Sequence, residues 1–147
     1  MANIVPFSFK GELASGTHNF SSGGDSFKIA LYTSNPYTTS STVALLGTSN
    51  NEVRSAGSSN YPAGGKALTS QTVTATTATT AIDFADTTFA SATFTAAFAA
   101  IYNTSASDKL CVVLDFGGNK TATNGTFTIS YPDPSTPSNA IISITSS

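Results

Sequence analysis

The sequence predicts an all-β domain, built as a two-sheet sandwich or jelly roll of seven to eight strands. Ser and Thr make up roughly a third of the chain, and they accompany ten Phe, five Tyr and no Trp, a composition that favours pleated strands over helices. Short segments alternate apolar and polar residues, and turn residues separate them at short spacing. At 147 residues the chain is expected to form one domain with a core of its own.

Residues 1–24 are predicted to form an N-terminal arm ahead of the first strand. Phe9 and Leu13 lie four residues apart, and Gly16 follows where a helix could end. We therefore expect a short helix over Ser8–Ser15. Such an arm either packs back onto its own sheet or docks on a neighbouring molecule, and the first arrangement is favoured. Its apolar residues are Ile4, Val5, Phe7 and Phe9.

Ser26–Thr33 is the first predicted strand, with apolar and polar residues in alternation. The longest irregular region follows over Ser34–Gly65, in which Val43–Leu46 could form a short strand or a turn of helix. A loop of this length in a compact domain is usually functional, so the region is a candidate interaction surface. Its candidate contact residues are Tyr37, Leu45, Leu46 and Tyr61. Tyr32, Tyr37 and Tyr61 are expected to be exposed and could stack on a sugar, although the absence of Trp disfavours that use.

The centre of the core is predicted to be a meander of three strands joined by two polar turns. These strands are Phe94–Tyr102, Leu110–Phe116 and Thr126–Tyr131, and residues 117–125 form the second turn. Further strands are expected at Lys66–Thr76, Ala81–Phe84 and Thr87–Phe89. Residues 132–147 hold a Pro-rich crossing and a last strand, Ala140–Thr145, in which Ile142 and Ile144 are candidate contacts.

No catalytic, cofactor-binding or metal-binding residue is predicted. A hydrolase would need His18, the one histidine, or paired carboxylates in a cleft, and no G-x-S-x-G sequence marks a nucleophile. Cys111 lies among valines, where a buried, inert thiol is expected, and its distance from His18 along the chain argues against zinc. Asp83 and Asp86 lack the spacing of a calcium loop.

The charge distribution excludes other classes of partner. Only 10% of residues are charged and the net charge is −2, so no basic stripe is present for nucleic acid. Neither a signal peptide nor a membrane-spanning segment is expected, and the protein is predicted to fold in a cytosol. Weakly charged, hydroxyl-rich surfaces are common in proteins that become packed in an assembly.

Several segments together resemble small structural proteins of tailed bacteriophage virions, of the capsid decoration or cement type. The segments are Phe27–Thr33, Asn51–Val53, Tyr61–Leu68, Ile101–Asn103 and Leu114–Gly118. The resemblance covers most of the chain but not the residues after Tyr131. It implies a non-enzymatic, β-rich protein of the virion, made in the bacterial cytoplasm, that binds the major capsid protein, often as a homo-oligomer (a trimer or dimer).

Under this hypothesis the arm, the irregular region and the last strand would bury apolar area between capsid subunits. The predicted contact residues are Ile4, Val5, Phe7, Phe9, Tyr37, Leu45, Leu46, Tyr61, Ile142 and Ile144. The alternative is a tail or fibre component that binds a host glycan or receptor. Neither hypothesis requires a cofactor, nucleic acid or a membrane.

Overall fold

A computed structural model describes residues 2–53, 60–132 and 140–145, and it confirms an all-β fold with two antiparallel sheets. One helix, α1 (Phe7–Ala14), precedes the strands. The seven strands are β1 (Phe27–Tyr32), β2 (Lys66–Ala67), β3 (Thr72–Ala75), β4 (Thr79–Asp83), β5 (Thr87–Asn103), β6 (Lys109–Ile129) and β7 (Ile142–Thr145). One sheet has the order β2-β1-β5-β6 and the other has the order β3-β4-β7.

The centre of the fold is a long two-stranded hairpin, β5–β6, and the predicted three-stranded meander is wrong. The segments Leu110–Phe116 and Thr126–Tyr131 were expected to be separate strands, but β6 contains the first and most of the second. In the same way β5 runs through the segments expected at Thr87–Phe89 and Phe94–Tyr102. Phe127 consequently pairs with Phe89 across the hairpin.

The expected turn over residues 117–125 is a set of bulges within β6. Ala96 pairs with Lys120 while Phe98 pairs with Asp115, so β6 carries extra residues between these two pairs. Gly117 and Gly118 in that interval have φ of 72° and 133°, which suits glycine at a bulge as well as at a turn. The two glycines were therefore interpreted as a turn, although they lie at a bulge.

The other elements lie close to their predicted positions. The expected helix Ser8–Ser15 is α1, the expected strand Ser26–Thr33 is β1, and Ala140–Thr145 contains β7. Lys66–Thr76 was expected to be one strand but forms β2 and β3, because Ser70 has a left-handed φ of 53° and interrupts the extended chain.

The centre of the four-stranded sheet, made of β1, the second half of β5 and the first part of β6, is buried on both faces. Its inner face joins β4 and β7 in one apolar core cluster, which contains Ile29, Ile101 and Ile82. Its outer face holds a second cluster, made of Ala30, Tyr32, Tyr37, Ala100, Tyr102, Leu110 and Val113. Residues of the irregular region cover this second cluster, and this explains why almost every residue of β1 is buried.

Glu52 holds the irregular region against the sheet. Its buried carboxylate accepts hydrogen bonds from the backbone N–H groups of Gly47 (2.5 Å) and Gly64 (2.7 Å) and from the hydroxyl of Tyr61 (3.1 Å). Tyr37 is buried as well, where its hydroxyl lies 2.6 Å from that of Tyr32 and accepts from the backbone N–H of Leu45. The expectation that Tyr32 and Tyr37 are exposed for sugar stacking is therefore wrong.

Candidate functional site

The structure brings the one histidine and the one cysteine together, against the expectation that they lie far apart. The Sγ atom of Cys111, on β6, is 4.0 Å from Nδ1 of His18. The other ring nitrogen, Nε2, is 3.0 Å from the carboxylate of Glu12 on α1. The order thiol, imidazole, carboxylate is the order of a cysteine-based catalytic triad.

The environment of this cluster nevertheless indicates a structural role. Cys111 has an exposed fraction of 0%, and burial raises the pKa of its thiol, so the nucleophilic thiolate is disfavoured and a substrate has no access. Nδ1 of His18 also lies 3.0 Å from the amide nitrogen of Asn103 and accepts its hydrogen bond, which leaves Nε2 to donate to Glu12. Both nitrogens are thus engaged within the protein.

Glu12 links α1 to β6 through this cluster. Its second carboxylate oxygen accepts from Nζ of Lys109 at 2.6 Å. Desolvation raises the pKa of the Glu12 carboxyl, but the hydrogen bonds and charges of Lys109 and His18 together outweigh it, so the pKa lies below its ordinary value. The ionised carboxylate is consequently part of the folded structure.

An apolar groove is the better candidate for a functional site. It lies between the arm with α1 and strand β7, has a volume of about 570 Å³, and is formed by the two ends of the described chain. Four predicted contact residues line it: Val5, Phe9, Ile142 and Ile144. The groove is also lined by three apolar residues and one basic residue that the sequence analysis did not assign to a site. The apolar residues are Leu13, Val112 and Ile141, and the basic residue is Lys10.

The groove is bordered by exposed apolar side chains. Val5 and Ile144 line it and are 42% and 48% exposed. Phe7, at the start of α1, is not part of the lining; it is 65% exposed, with Nζ of Lys10 6.0 Å from its ring. Single exposed apolar residues need no explanation, but two in the lining of one groove, with a third on the helix that forms one of its walls, are typical of an interaction site.

The remaining predicted contact residues lie within the fold or elsewhere. Ile4 pairs with Val113 through two backbone hydrogen bonds of 2.9 and 2.8 Å, which confirms that the arm packs on its own sheet at this position. Phe9, at the floor of the groove, is only 2% exposed and belongs to the main core. Tyr37, Leu45, Leu46 and Tyr61 are buried or half-buried away from the groove.

A second groove, of about 640 Å³, runs beside β6 and has a mixed polar and apolar lining. Asp115, Lys120 and Tyr131 are among its residues, and none of the predicted contact residues is. Its rim alternates Thr and Ser with Phe and Ile, as expected along one edge of a strand.

The chemistry available in the described ranges is limited. No group of three or more His, Cys, Asp or Glu residues among them could hold a metal ion. The helices found in those ranges are also too short to cross a membrane. Comparisons with protein-family models, with curated proteins and with solved structures find no match.

Proposed function

We propose that the protein is a structural component of a tailed-bacteriophage virion, a capsid decoration protein that binds the assembled shell and bridges capsid subunits. The observation that carries this proposal is the apolar groove lined by exposed Val5 and Ile144, together with exposed Phe7 on the adjoining helix α1. The resemblance of the strand segments to virion proteins and the weakly charged surface support the same assignment.

In this function the arm and α1 present the contact surface, and the sheets hold that surface in place. Phe7 and Val5 project from a segment that is itself fixed by Phe9 in the core and by the pairing of Ile4 with Val113. A fixed segment loses little conformational entropy on binding, so more of the gain from apolar burial, roughly 25 cal/mol per Å², remains as affinity.

The experiment is a binding assay with purified shells that lack this protein. Wild-type protein should sediment with the shells, and Phe7→Ser should weaken binding about tenfold or more, since a large exposed aromatic is the strongest anchor on this surface. Val73→Ser is the matched control, because Val73 is 45% exposed on β3, the edge strand of the three-stranded sheet that lies opposite β7. Equal binding of all three proteins would contradict the proposed contact surface.

The copy number in the virion tests the location. A decoration protein is present in hundreds of copies, whereas a tail or fibre component would be present in about a dozen or fewer. Quantitative gel analysis of purified particles distinguishes the two. Particles without the protein should also release DNA at lower temperature, and equal heat resistance would contradict a stabilising role.

A further inference from the structure

The two sheets differ in how their edges are protected. In the four-stranded sheet, β2 is only two residues long and carries Lys66, and β6 is paired at Lys109 by Val43 and at Val113 by Ile4. Short edge strands, charged residues and covering segments are the usual means by which proteins prevent edges from pairing with other chains. This sheet therefore has one short, charged edge at β2, and on its other edge the chain itself covers the first part of β6, at Lys109 and Val113.

The edges of the three-stranded sheet are four residues long and, in the residues that the structure describes, have neither a charged residue nor a bridged covering segment. Strand β3 has the sequence Thr-Val-Thr-Ala and β7 has Ile-Ser-Ile-Thr, without a charge or a proline. All residues of β3 and three of the four in β7 are exposed. Uncharged, β-branched edges of this kind are templates for the addition of another strand.

The geometry of β7 favours it over β3 as the edge that receives a partner. Every second residue of a strand points to the same face, so Ile144 lies on the same face as Ile142, and Ile142 is part of the core. Ile144 nevertheless remains 48% exposed, because this face continues beyond the core. Ile142, Ser143 and Ile144 all line the apolar groove, so the free edge of β7 opens into it.

The residues outside the described ranges are mostly small or polar. The residues outside the described ranges are Met1, Arg54–Ser59, Asp133–Asn139 and Ser146–Ser147, and after Met1 they contain no apolar residue larger than Ala or Pro. Pro134 and Pro137 also lack the backbone N–H that a strand partner must donate. The apolar face of β7 carries Ile142 and Ile144, so β7 of a second copy of this chain is a matching strand.

We propose that β7 pairs with β7 of a second copy of this chain, antiparallel and around a two-fold axis that passes through Ser143. In this register Ile142 of each copy lies opposite Ile144 of the other, and both pairs are on the same face of the combined six-stranded sheet. A two-fold interface of this kind is closed, so association through β7 ends at the dimer. The inference does not depend on the proposed function, since it concerns the protein alone in solution.

Disulfide trapping tests the register. Ser143→Cys places two thiols opposite each other on the axis, at a Cα separation of about 4.5–5.5 Å, which a disulfide spans. The native Cys111 is 0% exposed and does not compete. Thr74→Cys, in the middle of β3 on the same sheet face, is the matched control. On mild oxidation we expect Ser143→Cys to form a covalent dimer and Thr74→Cys to stay monomeric. Trapping through Thr74→Cys alone, or through neither, would overturn the proposal.

Sedimentation velocity at increasing concentration gives an independent measurement. The wild type should dimerise, and Ile144→Lys should weaken the dimer at least tenfold, because a charge on a free edge blocks strand addition. At a concentration where both proteins are monomeric their melting temperatures should agree, since dimerisation stabilises the folded state only by mass action. Val43→Lys is the control, since Val43 is 43% exposed on a different sheet. A monomeric wild type, or a dimer that Ile144→Lys leaves intact, would overturn the interface. Failure to bind shells would instead contradict the proposed function and leave this interface in place.

Discussion

At the scale of single residues, the two glutamates of the chain illustrate how few charges hold this fold together. Glu52 fixes the irregular region through two backbone N–H groups and Tyr61, and Glu12 fixes α1 through His18 and Lys109. Neither network was predictable from the sequence. His18 and Cys111 are 93 positions apart, and only the pairing of distant strands brings such residues into contact.

Glu12 makes the stability of the protein dependent on pH. Because its folded-state pKa lies below the ordinary value of 4.5, the ionised carboxylate contributes stability that is fully present above about pH 4.5 and is lost as the pH falls through the lower, folded-state pKa. Glu12→Gln should cost about 1 kcal/mol at pH 7, a modest value because Lys109 is 35% exposed and water screens the pair.

Urea unfolding of both proteins from pH 7 down to pH 3 measures this effect, and the difference between wild type and Glu12→Gln should shrink across the acidic range. Asp108→Asn is the control, since Asp108 has a left-handed φ of 57°, which asparagine tolerates well. A difference between wild type and Glu12→Gln that stays constant with pH would contradict the assigned role of the Glu12 charge.

Gly65 is a position where the backbone itself excludes a side chain. A Cβ atom there would lie 1.9 Å from the carbonyl oxygen of Ile29, and its φ of +79° is left-handed as well. Gly65→Ala should therefore destabilise the protein by about 3–5 kcal/mol. Gly16→Ala is the control: Gly16 has a φ of +76° but open space at Cβ, so only the backbone strain of about 1–2 kcal/mol remains. Chemical denaturation compares them, and equal losses would show that the close approach to Ile29 is unimportant.

At the scale of elements, α1 combines a buried anchor with an exposed contact residue. Phe9 is 2% exposed in the main core, whereas Phe7, two positions earlier on the same helix, is 65% exposed. Phe9→Ala should cost about 3–5 kcal/mol by leaving a cavity, and Phe7→Ala should change the free energy of unfolding by less than about 0.5 kcal/mol. Thermal unfolding of the two variants measures both values. A large loss for Phe7→Ala would mean that Phe7 supports the fold and is not reserved for a partner.

The strands show which parts of the fold can be predicted from sequence. The alternation in β1 and the branched residues of β7 predicted those strands closely, because each pattern is local. The continuity of β6 through Gly117 and Gly118 could not be predicted in the same way. Glycine fits a turn or a bulge equally well, and pairing with β5 decides between them. The groove was predicted only in its parts, since its walls come from opposite ends of the sequence.

At the scale of the whole molecule, one core cluster joins the two sheets. Ile29 on β1 and Ile82 on β4 belong to the same cluster, and α1 contributes Phe9 to it. Neither sheet has a separate apolar core on this inner side. Unfolding of one sheet should therefore unfold the other. The protein is therefore expected to unfold in a single cooperative transition, as small single domains usually do.

Ile29→Val and Ile82→Val test this cooperativity from the two sheets. Each removes one buried methyl group and should lower the free energy of unfolding by about 0.5–1.5 kcal/mol. Both should shift one common transition, with circular dichroism and tyrosine fluorescence changing together in urea at unchanged slope. If Ile82→Val produced an earlier, separate transition, the three-stranded sheet would be an independent unit. The dimer interface proposed on β7 would then form on a sheet that opens without the rest of the protein, and dimerisation should raise only the earlier transition.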